Sequence, residues 1–222
     1  MARLIVVSGP NGAGKTTLIK DNLSELEDHG YEVIIPDDLE GTSLSETPVS
    51  DAIALCIAKN TNVVYETPFQ YPEMADQIEK FIACGYQIVL LQLFLENVDS
   101  SAFRVKQRLN KGGRNIPSTE VKSNFQGNYN NIIRFHHLFN HSYFVDASDT
   151  SNYIVAELIR TKINYYFPVQ SVYLRDLLYE IIMTQKENKK EALAIIKNNK
   201  LFGSLSFKKL AKLFRFIIRL KK

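Results

Sequence analysis

The chain has 222 residues, 45% hydrophobic and 23% charged, with a net charge of +3, which is ordinary for a soluble globular protein and allows one substantial core with an appendage. The charge is uneven: Lys208, Lys209, Lys212, Arg215, Arg219, Lys221 and Lys222 stand without an acid in residues 201–222, leaving the first 200 residues at −4, so the main domain is not a broadly basic nucleic-acid binder. No stretch approaches the roughly 18 apolar residues of a membrane span, and the N-terminal apolar run is too short for a signal peptide. Cys56 and Cys84 then read as reduced thiols of a cytoplasmic protein.

Arg3 to Ser8 is a short apolar run suited to a buried parallel strand. It leads into Gly9-Pro10-Asn11-Gly12-Ala13-Gly14-Lys15-Thr16, followed by Thr17, which fits the G-x-x-x-x-G-K-[ST] pattern of a phosphate-cradling loop between strand and helix. The three glycines let successive N–H groups point at one anion. In such a loop Lys15 sits on the β- and γ-phosphates of ATP or GTP, and Thr16 presents its hydroxyl to Mg2+. A helix is expected from Thr16 to about Asp28, stopped at Gly30, then a strand from Tyr31 to Ile35 that delivers Pro36-Asp37-Asp38 to its end.

Residues 40–47 are rich in turn formers, and Val49 to Lys59 has helical spacing. Val63 to Tyr65 is a short strand with Glu66-Thr67 directly beyond it. Tyr71 to Cys84 reads as a helix, and Gln87 to Leu95 as the most apolar strand of the chain. A helix over Ser100 to Asn110 carries Arg104 and Arg108 one turn apart, and Lys111 to Pro117 is a glycine-rich loop containing Arg114. Another helix runs from Ser118 towards His141, and Tyr143 to Val145 is read as the last strand, ending at Asp146. From Pro168 the pattern is helical only, at about 168–187, 189–198 and 205–220.

Alternating strands and helices predict an α/β fold, a doubly wound parallel sheet of the P-loop NTPase type with about five strands and an all-helical C-terminal extension. The division expected is residues 1–165 for the first domain and 166–222 for the extension. Ligands of such sheets bind beyond the carboxyl ends of the strands. The phosphate loop, Asp37, Glu66 and Asp146 all fall there, so one rim of the molecule gathers them.

Phosphoryl transfer to a hydroxyl needs a carboxylate by the attacking oxygen and cations around the moving group. Asp37 is the candidate base, with Asp38 beside it, against the simpler reading that the pair turns the chain. Glu66 is placed to bind a substrate hydroxyl or to help hold Mg2+, and equally to cap the next segment. Arg104 and Arg108 are candidate catalytic cations, and Arg114 a candidate nucleotide contact from a closing lid. His137 and His141 lack the further ligands of a metal site.

Four segments in order, GPNGAGKTT, IIPDDL, VVYETPF and RVKQRLNKGGRNIP, together resemble the bacterial zeta-toxin-like P-loop kinases, over roughly residues 3 to 148. The resemblance implies an ATP-dependent, Mg2+-using kinase that phosphorylates a hydroxyl of a nucleotide sugar, typically UDP-N-acetylglucosamine. By position, Lys15 and Thr16 would hold nucleotide and Mg2+, Asp37 would orient the sugar hydroxyl, Glu66 and Thr67 would lie by the substrate, and Arg104 or Arg108 would contact phosphates. It also implies a helical antitoxin partner. Two places depart from the family's pattern: Arg114 stands where His is common, and Lys122-Ser123-Asn124 where an arginine-rich run is usual. The alternatives are a P-loop kinase for another small-molecule or nucleic-acid hydroxyl, and a nucleotide-binding regulatory module without turnover.

The last helix sets Leu210, Leu213, Phe214, Ile217 and Ile218 against Lys208, Lys212, Arg215 and Arg219, a basic amphipathic pattern. Packing on the rest of the protein is the preferred reading. Attachment to anionic membrane or nucleic acid, and inhibition in cis by covering the nucleotide site, are the alternatives.

Overall fold

The computed structural model describes residues 1–39, 48–148, 153–159, 162–165, 172–185 and 210–219. Its elements are β1 (Arg3–Ser8), α1 (Lys15–Lys20), α2 (Leu23–Asp28), β2 (Tyr31–Ile34), α3 (Pro36–Leu39), α4 (Pro48–Lys59), β3 (Asn62–Thr67), α5 (Met74–Ala83), β4 (Gln87–Phe94), α6 (Val98–Asn110) and α7 (Ser118–Phe135). A 3-10 turn at His136–Leu138 is followed by β5 (His141–Asp146), β6 (Tyr153–Ile159), β7 (Lys162–Tyr165), α8 (Val172–Gln185) and α9 (Leu210–Arg219).

The strands form one sheet in the order β2-β3-β1-β4-β5-β6-β7. The first five are parallel, and β6 and β7 extend the sheet antiparallel from β5. Five strands read as the whole sheet are thus a count to correct: Tyr143 to Val145 is not the last strand. The run Tyr-Ile-Val-Ala-Glu-Leu-Ile at 153–159 is β-branched and aromatic, and it returns as a hairpin partner rather than opening a crossover helix. The expected turn-rich segment 40–47 and the helix at 189–198 lie outside the described residues.

Because β1 and β4 are covered on both faces, they are apolar along most of their length, and the two-residue alternation only sorts side chains between layers. Leu4, Val6, Ile88 and Leu90 enter one layer with Ile53 of α4, Ile78 and Phe81 of α5, and Leu174, Leu177 and Ile181 of α8. Ile5, Val7, Val89, Leu91 and Leu93 enter the other with Leu18 and Ile19 of α1, Leu26 of α2, and Leu213, Phe214, Ile217 and Ile218 of α9. The apolar side of the basic C-terminal helix is therefore core, and Arg215 and Arg219 on its other side bond Asn22 and Glu25. Arg3, 7% exposed at the start of β1, donates to Ile217 O at 3.1 Å.

One predicted helix is divided. The Asn22 side chain donates to Leu18 O at 2.8 Å, while its own N–H turns to Ile19 O, so the run from Lys15 breaks before α2. Cys56 is buried and Cys84 exposed, both as free thiols. Among the described residues no helix is long and apolar enough to cross a membrane.

Candidate active site

The rim where β1, β3 and β4 end holds a cleft of about 700 Å3. Ser8, Thr67 and Gln92 are register partners at those ends, so the segments that follow leave the sheet side by side. At the N-terminal end of α1 the phosphate loop turns through Gly12 (φ 78°) and Gly14 (φ 93°), a region where a Cβ is strained. Gly12 also lies against α6, where a Cβ would sit 2.9 Å from that of Arg104. The loop and the arginine helix thus touch because there is no side chain between them.

Lys15 is 7% exposed, and its ammonium donates to the carbonyls of Gly9 (2.8 Å) and Pro10 (3.1 Å). Burial holds its pKa below the usual lysine value, against the pull of Glu66 and Asp37. Thr16 Oγ1 donates to Glu66 Oε1 at 2.9 Å. Among the described residues Glu66 Oε2 is buried with no hydrogen-bond partner, and burial pushes the carboxyl's pKa up despite Lys15 and Thr16. A hydroxyl and a carboxylate held together with one carboxylate oxygen unmatched is a donor set that suits a small hard cation such as Mg2+, which takes one or two protein oxygens plus phosphates and water.

Asp37, in the first turn of α3, is exposed and lines the cleft. Its Oδ1 lies 3.7 Å from Arg114 Nη1, which reaches over from the loop after α6. Arg104, Arg108 and Lys111 also line the cleft. The Arg104 guanidinium donates to Ser148 O (2.7 Å) and Gly12 O (3.4 Å), spanning the end of β5 and the phosphate loop, while Arg108 is exposed. Five cations, Lys15, Lys20, Arg104, Arg108 and Lys111, face three carboxylates, Asp21, Asp37 and Glu66, so the cleft suits a polyanion.

Of the residues singled out in the sequence, Asn11, Gly12, Gly14, Lys15, Thr16, Thr17, Asp37, Glu66, Arg104 and Arg108 converge on this cleft. Gly9, Pro10 and Ala13 are the buried frame of the loop. Asp38 is outside the cleft wall and pairs with Lys20 at 3.0 Å. Thr67 is fully buried: its hydroxyl donates to Met74 Sδ and accepts from Phe69 N, closing the turn after β3. Sequence reasoning passed over Ser101 on α6 and Asn128 and Asn131 of α7, and named Asn124 only as part of a departure from the family's pattern. Ser101 Oγ donates to Asn11 O at 2.6 Å. Asn124 and Asn128 bond the phosphate loop and the strand ends. A run with four asparagines between 124 and 131 inside a strong helix pattern was the available signal, because asparagine is a poor helix former.

Comparison with known proteins gives a family. The family model described as Zeta toxin matches residues 45–156, which is half of the chain and begins after the phosphate loop. Among solved structures, one of the PezAT chromosomal toxin-antitoxin system of Streptococcus pneumoniae is similar with a TM-score of 0.54 and 13% identity, over 89% of this chain and 85% of that one. The AvrRxo1-ORF1:AvrRxo1-ORF2 complex, solved with sulphate ions and with ATP, is similar with a TM-score of 0.54 and 16% identity; the match covers 79% of this chain but 63% of that one. At these identities the likeness is one of fold. No curated protein matches the chain by sequence.

Proposed function

The chain belongs to the zeta toxin family of P-loop kinases, and from that premise we propose that it transfers the γ-phosphate of ATP to a hydroxyl of a nucleotide sugar of the UDP-N-acetylglucosamine type, in the cytoplasm. The observation that carries the reading is the single cleft in which the phosphate loop, an exposed carboxylate and two arginines one turn apart face one another. Lys15 would exchange its two loop carbonyls for phosphate oxygens. Its ammonium is already held at the loop, so little reorganisation is needed. Thr16 and Glu66 would hold Mg2+, which supplies charge neutralisation on the phosphates when bound.

Asp37 accepts the proton of the attacking hydroxyl as the O–P bond forms and ADP leaves. Its exposure on the cleft wall leaves room for a sugar, and moving Arg114 off its carboxylate frees both groups for substrate. Arg104 and Arg108 face the charge that develops on the transferred group, the role in which lid arginines contribute on the order of a thousandfold. A protein antitoxin is part of the proposal, since the similar structure from Streptococcus pneumoniae is of a toxin-antitoxin system. Inhibition in cis finds no support in the described helices: neither α8 nor α9 lines the cleft.

The test is transfer of label from γ-labelled ATP with Mg2+ to UDP-N-acetylglucosamine, in wild type, Lys15→Ala and Asp37→Asn. Labelled sugar phosphate in wild type and none in either variant is the expected result. ATP bound without label reaching this sugar would refute the acceptor and move the search to other hydroxyls.

A further inference from the structure

Asn124, Asn128 and Asn131 share one side of α7 and are only 2–6% exposed. A buried amide without partners costs about 1–3 kcal/mol, so three on one buried face need a role. Asn131 Nδ2 donates to Phe69 O (3.0 Å), and Asn128 Nδ2 to Pro68 O (2.7 Å) and Ser8 Oγ (3.0 Å). Both tie the helix to strand ends. Asn124 does something different: its Oδ1 accepts the N–H of Asn11 in the phosphate loop (3.1 Å), and its Nδ2 donates to Gln70 Oε1 (2.7 Å).

Ser101 of α6 holds the other side of the same residue, donating to Asn11 O. Both backbone polar groups of Asn11 are thus taken by flanking helices. The loop around it contains Gly9, Gly12 and Gly14 and has much conformational freedom to lose when it closes on phosphate. A clamp that removes this freedom beforehand lowers the cost of ordering on binding. The Gln70 end of the link lies four residues after Glu66, so one amide joins the two segments that meet at Thr16 and Glu66.

We propose that Asn124 is a positioning residue of the nucleotide site: its amide ties Asn11 to the segment that follows Glu66 and, with Ser101, sets the phosphate loop for a nucleoside triphosphate. The proposal rests on the reading of the cleft as a nucleotide site.

The experiment uses the full chain and three variants, Asn124→Leu, Ser101→Ala and Asn131→Leu. It measures the melting temperature, amide hydrogen exchange at Asn11 and the calorimetric Kd for a non-hydrolysable ATP analogue with Mg2+. Asn124→Leu is expected to unprotect Asn11 and weaken the analogue about tenfold, and Ser101→Ala to weaken it at least about threefold. Asn131→Leu, seven residues along the same face, should lower the melting temperature yet keep the Kd within about twofold. Affinity within about twofold of wild type in Asn124→Leu, or losses in all three that merely follow their melting temperatures, would overturn the proposal. If Asn124→Leu does not fold, Ser101→Ala decides by the same criterion. Wild type that binds no nucleotide overturns it together with the nucleotide site; wild type that binds but phosphorylates no acceptor overturns the kinase reading alone.

Discussion

Gly127→Ala sets two effects of opposite sign against each other. Within an exposed helix the change would stabilise by about 1 kcal/mol, because glycine is the poorest ordinary helix former. Gly127 of α7, however, faces the backbone of Gln70, and a Cβ there would lie 2.3 Å from Gln70 O and 3.0 Å from Gln70 C and Cα. The obstacle is main chain, so either the helix or the loop must retreat by about 1 Å to restore contact distance, with overpacking worth roughly 1–3 kcal/mol. The loop cannot retreat freely. Pro68 O, Phe69 O and the Gln70 side chain are held by Asn128, Asn131 and Asn124, and Phe69 sits at φ 50°. Stretching two of those three buried bonds adds about 2 kcal/mol. The net expectation is a loss of roughly 2–4 kcal/mol, which in a chain of this size lowers the melting temperature by roughly 5–15 °C. Differential scanning calorimetry with urea titration measures both. A variant that melts at or above wild type would show that helix propensity wins and that the loop is not anchored.

Glu66→Gln should raise the melting temperature of the ligand-free protein near neutral pH and abolish Mg2+-dependent phosphoryl transfer. The sign follows from the raised pKa of Glu66: its contribution is fully present below the unfolded carboxylate pKa and is lost as pH rises through the folded value. The gap between variant and wild type should therefore open as pH rises through the folded pKa and close in acid; a gap independent of pH would refute it. Arg108→Ala, at an exposed position, is expected to lower kcat by about 100-fold or more with the melting temperature unchanged within about 1 °C. Arg104→Ala should lower both, because its guanidinium also ties Gly12 to Ser148; equal melting temperatures for the two variants would contradict that division. Phe214→Ala, in the fully buried centre of α9, should cost about 3–5 kcal/mol in chemical denaturation. A loss below about 1 kcal/mol would mean that α9 is not part of the core.

The parallel half of the sheet was legible because each of its strands is an apolar run followed by a turn and an amphipathic segment, and the phosphate loop fixed where the first one ends. The candidate site was legible for the same reason: Lys15, Thr16 and Asp37 follow strands and Glu66 closes one, lying inside β3 where the sequence had placed it just beyond, and position at a strand end is a one-dimensional property. What could not be read is what depends on partners far along the chain. Residues 153–159 look equally apolar as a crossover or as a hairpin partner, and only the free edge of β5 decides between them. Thr67 follows Glu66 by one residue, yet the two point opposite ways, and the turn to Phe69 takes the Thr67 hydroxyl inside. Asn124 stands 113 residues from the loop it holds, a separation that no local pattern encodes.

The bond from Arg3 to the Ile217 carbonyl joins the first strand to the last described helix across 214 residues. Its consequence lies in the order of synthesis. The phosphate loop leaves the ribosome early, but the layer beneath it is closed only when Leu213, Phe214, Ile217 and Ile218 arrive. At roughly 5–20 residues per second that interval is roughly 10–40 s, during which the apolar underside of the loop's own strand is open to chaperones and proteases. Ribosome-stalled chains ending at residue 205 are expected to be cut rapidly by a protease that spares the released protein, and equal resistance of the two would count against this order.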